Sequence, residues 1–136
     1  MNAVFSIDPG DTYMRWIKTD HRMSAFITVD GARAAAFPLY FPSQRINEGL
    51  EQYTIRDFFF WSTDKPNYKV DITDVIEQKI QAACQHTSQF GKGNMKYTGP
   101  AMDAADQQSI RARYSRKDAD GKIYEQFRRL QESLSF

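Results

Sequence analysis

Apolar residues along the chain occur either in short continuous runs or at helical spacing. Two short runs, over residues 3–7 and 54–61, are rich in β-branched and aromatic residues and end at turn-forming residues. Such runs are typical of buried strands. Because strands this apolar need cover on both faces, the pattern predicts a sheet with flanking helices.

After each predicted strand, apolar residues recur at the spacing of a helix. One helix is predicted over residues 20–36, with Thr19 or Asp20 as its N-cap. A second is predicted over residues 71–89, with Asp71 or Thr73 available as its cap and Asp71 favoured for that role over direct substrate contact. The order strand, helix, strand, helix predicts an α/β fold with parallel strands, in which ligands bind at the carboxyl ends of the strands.

The C-terminal third of the chain differs in pattern. After a stretch rich in glycine, two further helices are predicted over residues 104–115 and 123–134. A chain of 136 residues has the length of one ordinary domain. We therefore expect a single domain over residues 1–136, with a core in residues 1–90 and a helical segment in residues 101–136.

The net charge and the cysteine count indicate which partners and which cellular setting to expect. Lys and Arg total 18 against 17 Asp and Glu, a net charge of +1, which favours neither nucleic acid nor an anionic membrane as a partner. The single cysteine, Cys84, cannot form an internal disulfide. The apolar run at the N-terminus is too short for a signal peptide or a membrane span. We expect a soluble, cytoplasmic protein.

The loop after the first predicted strand holds the main candidate chemistry. Asp8 lies at the carboxyl end of that strand, and Asp20 and His21 follow at the start of the next helix. Imidazole is a common zinc ligand, which makes His21 a candidate. An Asp beside a His is also the usual composition of a capped helix start, so the residues alone leave both interpretations open.

Two other clusters favour structural roles. The four consecutive aromatic residues 58–61 could stack on rings, but side chains alternate between the two faces of a strand, so a core role is favoured. The basic residues in 111–117 could contact phosphate. Acidic residues on both sides of them favour a solvated helix face instead.

Several short motifs, taken in order, resemble those of the PIG-L/LmbE-type N-acetylglucosaminyl deacetylases. They are Val4-Phe5-Ser6-Ile7-Asp8-Pro9, Thr19-Asp20-His21-Arg22, Val70-Asp71-Ile72-Thr73, Lys79 with His86-Thr87-Ser88-Gln89, and Tyr124-Glu125-Gln126-Phe127-Arg128. The resemblance spans nearly the whole chain. It implies a Rossmann-like α/β sandwich and hydrolysis of an acetamide at a zinc site.

The resemblance also implies roles for individual residues. His21 matches the third zinc ligand of the family, Asp20 the acidic residue before it, and Lys18 replaces the histidine that opens the motif. Lys18 and Asp20 are thus the implied catalytic residues. The resemblance also favours His86 and Gln89 as substrate-binding residues. Asp8, at the end of the first strand, and Tyr13 and Arg15, in the loop before His21, are predicted substrate-binding residues from their positions.

The family's Ala-His-Pro-Asp-Asp-Glu motif, which supplies two zinc ligands and the general base, has no match in the sequence. The chain therefore resembles the C-terminal half of a zinc-dependent de-N-acetylase acting on an N-acetylglucosamine conjugate. The alternative is a non-catalytic binding or assembly remnant of the same fold, which the replacement at Lys18 favours. If the chain is an incomplete deacetylase, we expect a companion chain or self-association to cover apolar sheet edges.

Overall fold

The computed structural model describes residues 2–10, 18–90 and 102–131. In this part of the chain, four strands form one sheet in the order β1-β2-β4-β3. The strands are β1 (Ala3–Ile7), β2 (Asp57–Trp61), β3 (Tyr68–Asp71) and β4 (Tyr124–Gln131). Strand β1 pairs with β2 in parallel, whereas β4 pairs with β2 in antiparallel orientation. The sheet is therefore mixed.

Helices precede and follow the strands. The described α-helices are α1 (Thr19–Ala36), α2 (Pro42–Glu48), α3 (Ile76–Cys84), α4 (Thr87–Phe90) and α5 (Ala104–Tyr114), and a 3₁₀ turn spans Thr73–Val75. None of the helices in the described ranges has the length and apolar character needed to cross a membrane. The chain divides into two compact units, residues 1–69 with 126–136 and residues 70–125.

In the first unit, helix α1 packs on one face of the sheet. The core of this face consists of Ala32, Phe58 and Phe60, and the partly buried Val4 and Leu130 pack against it. The register explains the grouping, since Phe58 lies opposite both Val4 and Leu130. The small side chain of Ala32 lets the helix approach the sheet closely, as does Ala25, which is also buried.

The direction of α1 follows from two hydrogen bonds. The Ser6 hydroxyl donates to the Thr28 hydroxyl at 3.1 Å, and the Tyr53 N–H, just before β2, donates to the Ala35 carbonyl at 2.8 Å. Thr28 therefore lies near the end of β1, whereas Ala35, later in α1, lies near the start of β2. The helix thus runs antiparallel to β1. An α-helix rises by about 1.5 Å per residue, so the residues before Thr28 extend beyond the end of β1. The first turn of α1 therefore lies towards the carboxyl ends of β1 and β2.

The opposite face of the sheet carries a buried carboxylate. Asp57 Oδ1 accepts hydrogen bonds from Arg129 Nε at 2.9 Å, Arg129 Nη2 at 2.6 Å and Gln131 Nε2 at 3.0 Å. These bonds, that of Arg129 above all, hold the pKa of Asp57 below its usual value. Phe59 stacks on Phe5 on the same face, with 4.9 Å between ring centroids.

The second unit has its own core between α3 and α5. Ile80, Met102 and Ile110 are buried together. Asp103 caps α5 by accepting a hydrogen bond from the Asp106 N–H at 2.8 Å. The cap satisfies a backbone donor at the start of the helix.

Most of the predicted elements are confirmed. The strand at residues 3–7 has the predicted bounds, the second strand is confirmed over Asp57–Trp61, and helices are confirmed over Thr19–Ala36 and Ala104–Tyr114. The α/β class is confirmed as well. Parallel pairing holds for β1 and β2, but β4 runs against them.

The helix predicted over residues 123–134 is wrong, because Tyr124–Gln131 is strand β4. Of the C-terminal segment predicted as helical, only Ala104–Tyr114 is a helix in the described residues. Ile123, Phe127 and Leu130 fit helical spacing as well as they fit a strand. Pairing with β2 decides between the two, since it places Phe127 and Leu130 on opposite faces of the sheet, each against aromatic residues.

The single helix predicted over residues 71–89 is also wrong. Asp71 ends strand β3, and the helical residues that follow are broken into the 3₁₀ turn, α3 and α4. The N-cap predicted for the first helix is wrong too, because Lys18 occupies that position and no side chain caps the helix.

Candidate functional site

Strand β1 ends in a buried acidic residue, Asp8, which has no exposed surface. Its N–H donates to the Trp61 carbonyl at 2.9 Å, which continues the pairing of β1 with β2. Its Oδ1 accepts from the Gly10 N–H at 2.7 Å. Gly10 has φ of 72°, a left-handed conformation that glycine adopts without strain. Asp8 thus fixes the turn by which the chain leaves the sheet.

Arg128 on β4 reaches this carboxylate. The register places Arg128 opposite Phe60, on the face that α1 covers, and its Nη1 lies 3.3 Å from Asp8 Oδ1. Only 19% of the Arg128 side chain is exposed. A buried carboxylate is costly unless a cation and hydrogen bonds compensate it, and Arg128 and Gly10 supply both.

The start of α1 carries the other candidate residues of this unit. Lys18 is the exposed N-cap residue, and Arg22 N–H donates to its carbonyl at 3.1 Å. Asp20 and His21 occupy the first turn, with Asp20 Oδ2 3.9 Å from His21 Nε2. The Asp20 side chain is 80% exposed and that of His21 is 35% exposed. The imidazole is therefore half-buried beside an acidic group in solvent.

The arrangement favours negatively charged groups of a ligand at one end of the helix. The N-terminus of an 18-residue helix carries a partial positive charge, to which the ammonium group of Lys18 adds. Asp20 supplies a carboxylate in the same turn that can accept a proton. Together these groups can stabilise an oxyanion and act as a base.

A zinc ion requires more ligands than this turn supplies. Catalytic zinc sites use three protein ligands as a rule. In the described residues, no group of three or more His, Cys, Asp or Glu side chains is placed to hold a metal ion. His21 can supply one ligand, so the described residues do not fit a catalytic zinc on their own.

The remaining predicted site residues are distributed differently. Tyr13 and Arg15 lie outside the described residues. His86 and Gln89 lie in the second unit, at the start of α4 and within it, and both are exposed. The Gln89 N–H donates to the His86 carbonyl at 2.9 Å, a contact that belongs to the helix itself. The structure thus places Asp8, Lys18, Asp20 and His21 in one unit and His86 and Gln89 in the other.

Asp71 does not have the helix-capping role that the sequence favoured, because it ends β3, and Ile72 is the N-cap of the 3₁₀ turn that follows. Its carboxylate fixes the turn after the strand instead. Its Oδ1 accepts from the Thr73 N–H at 3.0 Å and from the Thr73 hydroxyl at 2.6 Å. Its Oδ2 accepts from Lys122 Nζ at 2.7 Å. The bond from Lys122, followed by those from Thr73, holds the pKa of Asp71 far below its usual range.

The aromatic run and the basic cluster also have structural roles. Phe58, Phe59 and Phe60 are buried, whereas Trp61 at the strand end is 45% exposed. Arg111, in the basic cluster, forms an ion pair with Glu77. The guanidinium of Arg111 lowers the pKa of Glu77 through this hydrogen bond.

Arg128 is the site residue that the sequence interpretation missed. It belongs to the Tyr124-Glu125-Gln126-Phe127-Arg128 motif, which lies within the helix predicted over residues 123–134. Reading that motif as a strand would have placed Arg128 beside the end of β1. The motif itself was the available signal.

Known proteins that match the chain include two deacetylases. The diacetylchitobiose deacetylase of Thermococcus kodakarensis is 41% identical over 71 residues, which is 52% of this chain and 26% of that protein. The N,N'-diacetylchitobiose deacetylase of Pyrococcus horikoshii, solved with its inhibitor MPG, superposes with a TM-score of 0.69 and 26% identity over 96% of this chain and 46% of that chain. No family model matches the sequence.

These matches support a deacetylase of the LmbE/PIG-L type as the class of protein that the chain resembles, over part of its length. The two relatives described above are both diacetylchitobiose deacetylases. The chain spans less than half the length of each.

Proposed function

We propose that the chain is the C-terminal half of a zinc-dependent de-N-acetylase that hydrolyses the acetamide of an N-acetylglucosamine conjugate. The observation that carries the proposal is the match to two diacetylchitobiose deacetylases, one at 41% identity over 71 residues and one whose fold superposes on 96% of the chain. Both relatives are named for an acetylated chitobiose. The substrate class proposed for this chain is therefore an N-acetylated sugar.

The proposed reaction breaks the amide bond with water and yields acetate and a free amine. In this proposal Lys18 and the N-terminus of α1 stabilise negative charge that develops on the carbonyl oxygen. Asp20 accepts a proton, and Asp8 holds the turn that leads from the sheet to this helix. His21 supplies one zinc ligand, and the remaining ligands come from outside the described residues.

The alternative is a non-catalytic module that binds or assembles with other proteins. Lys18 favours it, because a lysine stands where the deacetylase motif has histidine, with a different pKa and reach. The half-buried His21 beside a solvent-exposed Asp20 also has the geometry of an ordinary helix start.

The first experiment measures acetate release from N,N'-diacetylchitobiose and from N-acetylglucosamine, together with the zinc content of the purified chain. Deacetylase function predicts that Asp20→Asn lowers kcat by about 10²- to 10⁴-fold. It also predicts that His21→Ala lowers the zinc content. Asp30→Asn is the matched control, because Asp30 is an exposed carboxylate further along the same helix.

Zinc bound in proportion to protein and lost with His21, accompanied by acetate release, would support the enzyme. If the Asp20→Asn variant released acetate as fast as wild type and the Asp30→Asn control, the proposed role of Asp20 would be rejected. The part of the Pyrococcus horikoshii deacetylase that this chain does not match can be added to the assay. If no acetate is released even then, the result would favour the binding module.

A further inference from the structure

A groove between helices α3 and α5 of the second unit is lined by four glutamine side chains. Gln81 belongs to α3 and Gln85 is the C-cap of that helix, whereas Gln107 and Gln108 belong to α5. The volume of this groove is about 620 Å³, within the range that proteins use for small-molecule ligands. We term it the glutamine groove.

Helical spacing aligns the polar side chains along each wall of the groove. Glu77, Gln81 and Gln85 recur at intervals of four residues, so they lie on one face of α3 and its C-cap. Gln108 and Arg111 are three residues apart on α5 and share a face in the same way. The groove therefore lies between two rows of polar side chains.

The lining divides into an apolar floor and a polar rim. Ile80 is buried and Cys84 is partly buried, whereas all four glutamines are exposed. Gln107 Nε2 donates to the Met102 carbonyl at 3.1 Å, which holds this amide in place on its wall. A pyranose ring has the matching division, because its faces carry C–H groups and its edge carries hydroxyl groups.

The charges in the lining compensate each other. Glu77 and Arg111 form an ion pair across the groove, in which Arg111 Nη2 donates to Glu77 Oε2 at 2.8 Å. The remaining lining side chains are uncharged. A groove without net charge selects neither an anionic nor a cationic ligand, so its polar contacts suit a neutral ligand with many hydrogen-bonding groups.

We propose that the glutamine groove binds a short neutral oligosaccharide. A carboxamide offers two donors and one acceptor, and a sugar hydroxyl both donates and accepts, so the amides of the two walls can pair with hydroxyls on both edges of a ring. The C–H face of the ring packs on Ile80 and Cys84. The inference is independent of the proposed function, because none of these residues has a role in the proposed reaction.

The test is a titration of the chain with cellotriose, a neutral trisaccharide without an acetamide group, followed by isothermal calorimetry. We expect saturable one-to-one binding with a Kd of about 1 mM or tighter. Gln81→Met and Gln108→Met keep the side-chain length but remove its hydrogen bonds. Each should weaken binding about fivefold, and the double variant should weaken it at least about tenfold.

Both substitutions are at exposed positions, so the variants are expected to keep the fold, which circular dichroism and thermal melting check. Gln78→Met is the matched control. Gln78 is an exposed glutamine on the same helix as Gln81 but does not line the groove. Its substitution should leave the Kd for cellotriose within about twofold.

Cys84 gives a second readout, because it is the single cysteine of the chain and lines the groove. Cellotriose at saturation should slow the reaction of the Cys84 thiol with a disulfide reagent such as 5,5'-dithiobis(2-nitrobenzoate). An unchanged rate would show that the sugar binds elsewhere and would overturn the proposal.

Absence of saturable binding up to about 10 mM cellotriose would also overturn the proposal, as would equal binding by the folded double variant and Gln78→Met. A neutral blocked tripeptide, acetyl-trialanine amide, is titrated in parallel. If the groove bound this peptide and not cellotriose, the site would be a peptide site and the proposal would be rejected. Acetate release is measured separately, so failure of either proposal leaves the other testable.

Discussion

Replacing Arg128 by methionine tests whether the buried ion pair holds the end of strand β1. Methionine fills a similar volume but removes the guanidinium that lies 3.3 Å from Asp8 Oδ1. Removing one partner of a buried pair costs about 3–5 kcal/mol, and since 19% of the Arg128 side chain is exposed, we expect the lower end, about 3 kcal/mol. For a chain of this size, the melting temperature should fall by about 10 °C.

A double-mutant cycle separates the pair from its surroundings. Asp8→Asn keeps an oxygen that can accept from the Gly10 N–H, so it should cost about 1–2 kcal/mol. Once Asp8 is neutral, Arg128→Met should cost less, which gives a coupling energy of about 1–2 kcal/mol. Urea unfolding followed by tryptophan fluorescence is the assay. Additive effects, or an Arg128→Met variant within about 0.5 kcal/mol of wild type, would refute the reasoning.

Three further outcomes follow from other contacts. Phe60→Ala should lower the free energy of unfolding by about 3–5 kcal/mol, measured by urea denaturation, because it empties the centre of the α1-covered face. Asp57 has a folded-state pKa below its unfolded value of about 3.9, so its contribution to stability is present above that pH and is lost as the pH falls through the folded pKa. Asp57→Asn should therefore flatten the decline of the urea midpoint below about pH 4, and an unchanged decline would contradict the role of Arg129. Glu77→Gln should change the melting temperature little, since the ion pair with Arg111 is exposed, and a large loss would show that this pair matters more than its exposure indicates.

Local sequence pattern was sufficient where one element buries one apolar run. Strand β1, the aromatic strand β2 and helix α1 were all predictable, because the two strands are short apolar runs that end at turn residues and the helix has apolar residues at helical spacing. Strand β4 was not, because Phe127 and Leu130 fit both periods. The neighbour that decides between them, β2, lies more than 60 residues earlier in the chain.

The candidate site divides in the same way. Asp8 and His21 could be proposed from sequence because each lies beside an element boundary that the pattern marks. Arg128 could not be placed there, because its position depends on the register of β4 against β2. His86 and Gln89 were grouped with the site by motif alone, and they lie in the second unit.

The sequence by itself determined the α/β class, the two parallel strands, the long helix and the resemblance to deacetylases, since these depend on local periodicity and short motifs. Only the tertiary structure decided that residues 124–131 form a strand, that this strand runs antiparallel to β2, and that Arg128 compensates the buried Asp8. The physical reason is that hydrogen-bond pairing and charge compensation join residues distant in sequence, whereas a local pattern reports only which positions avoid water.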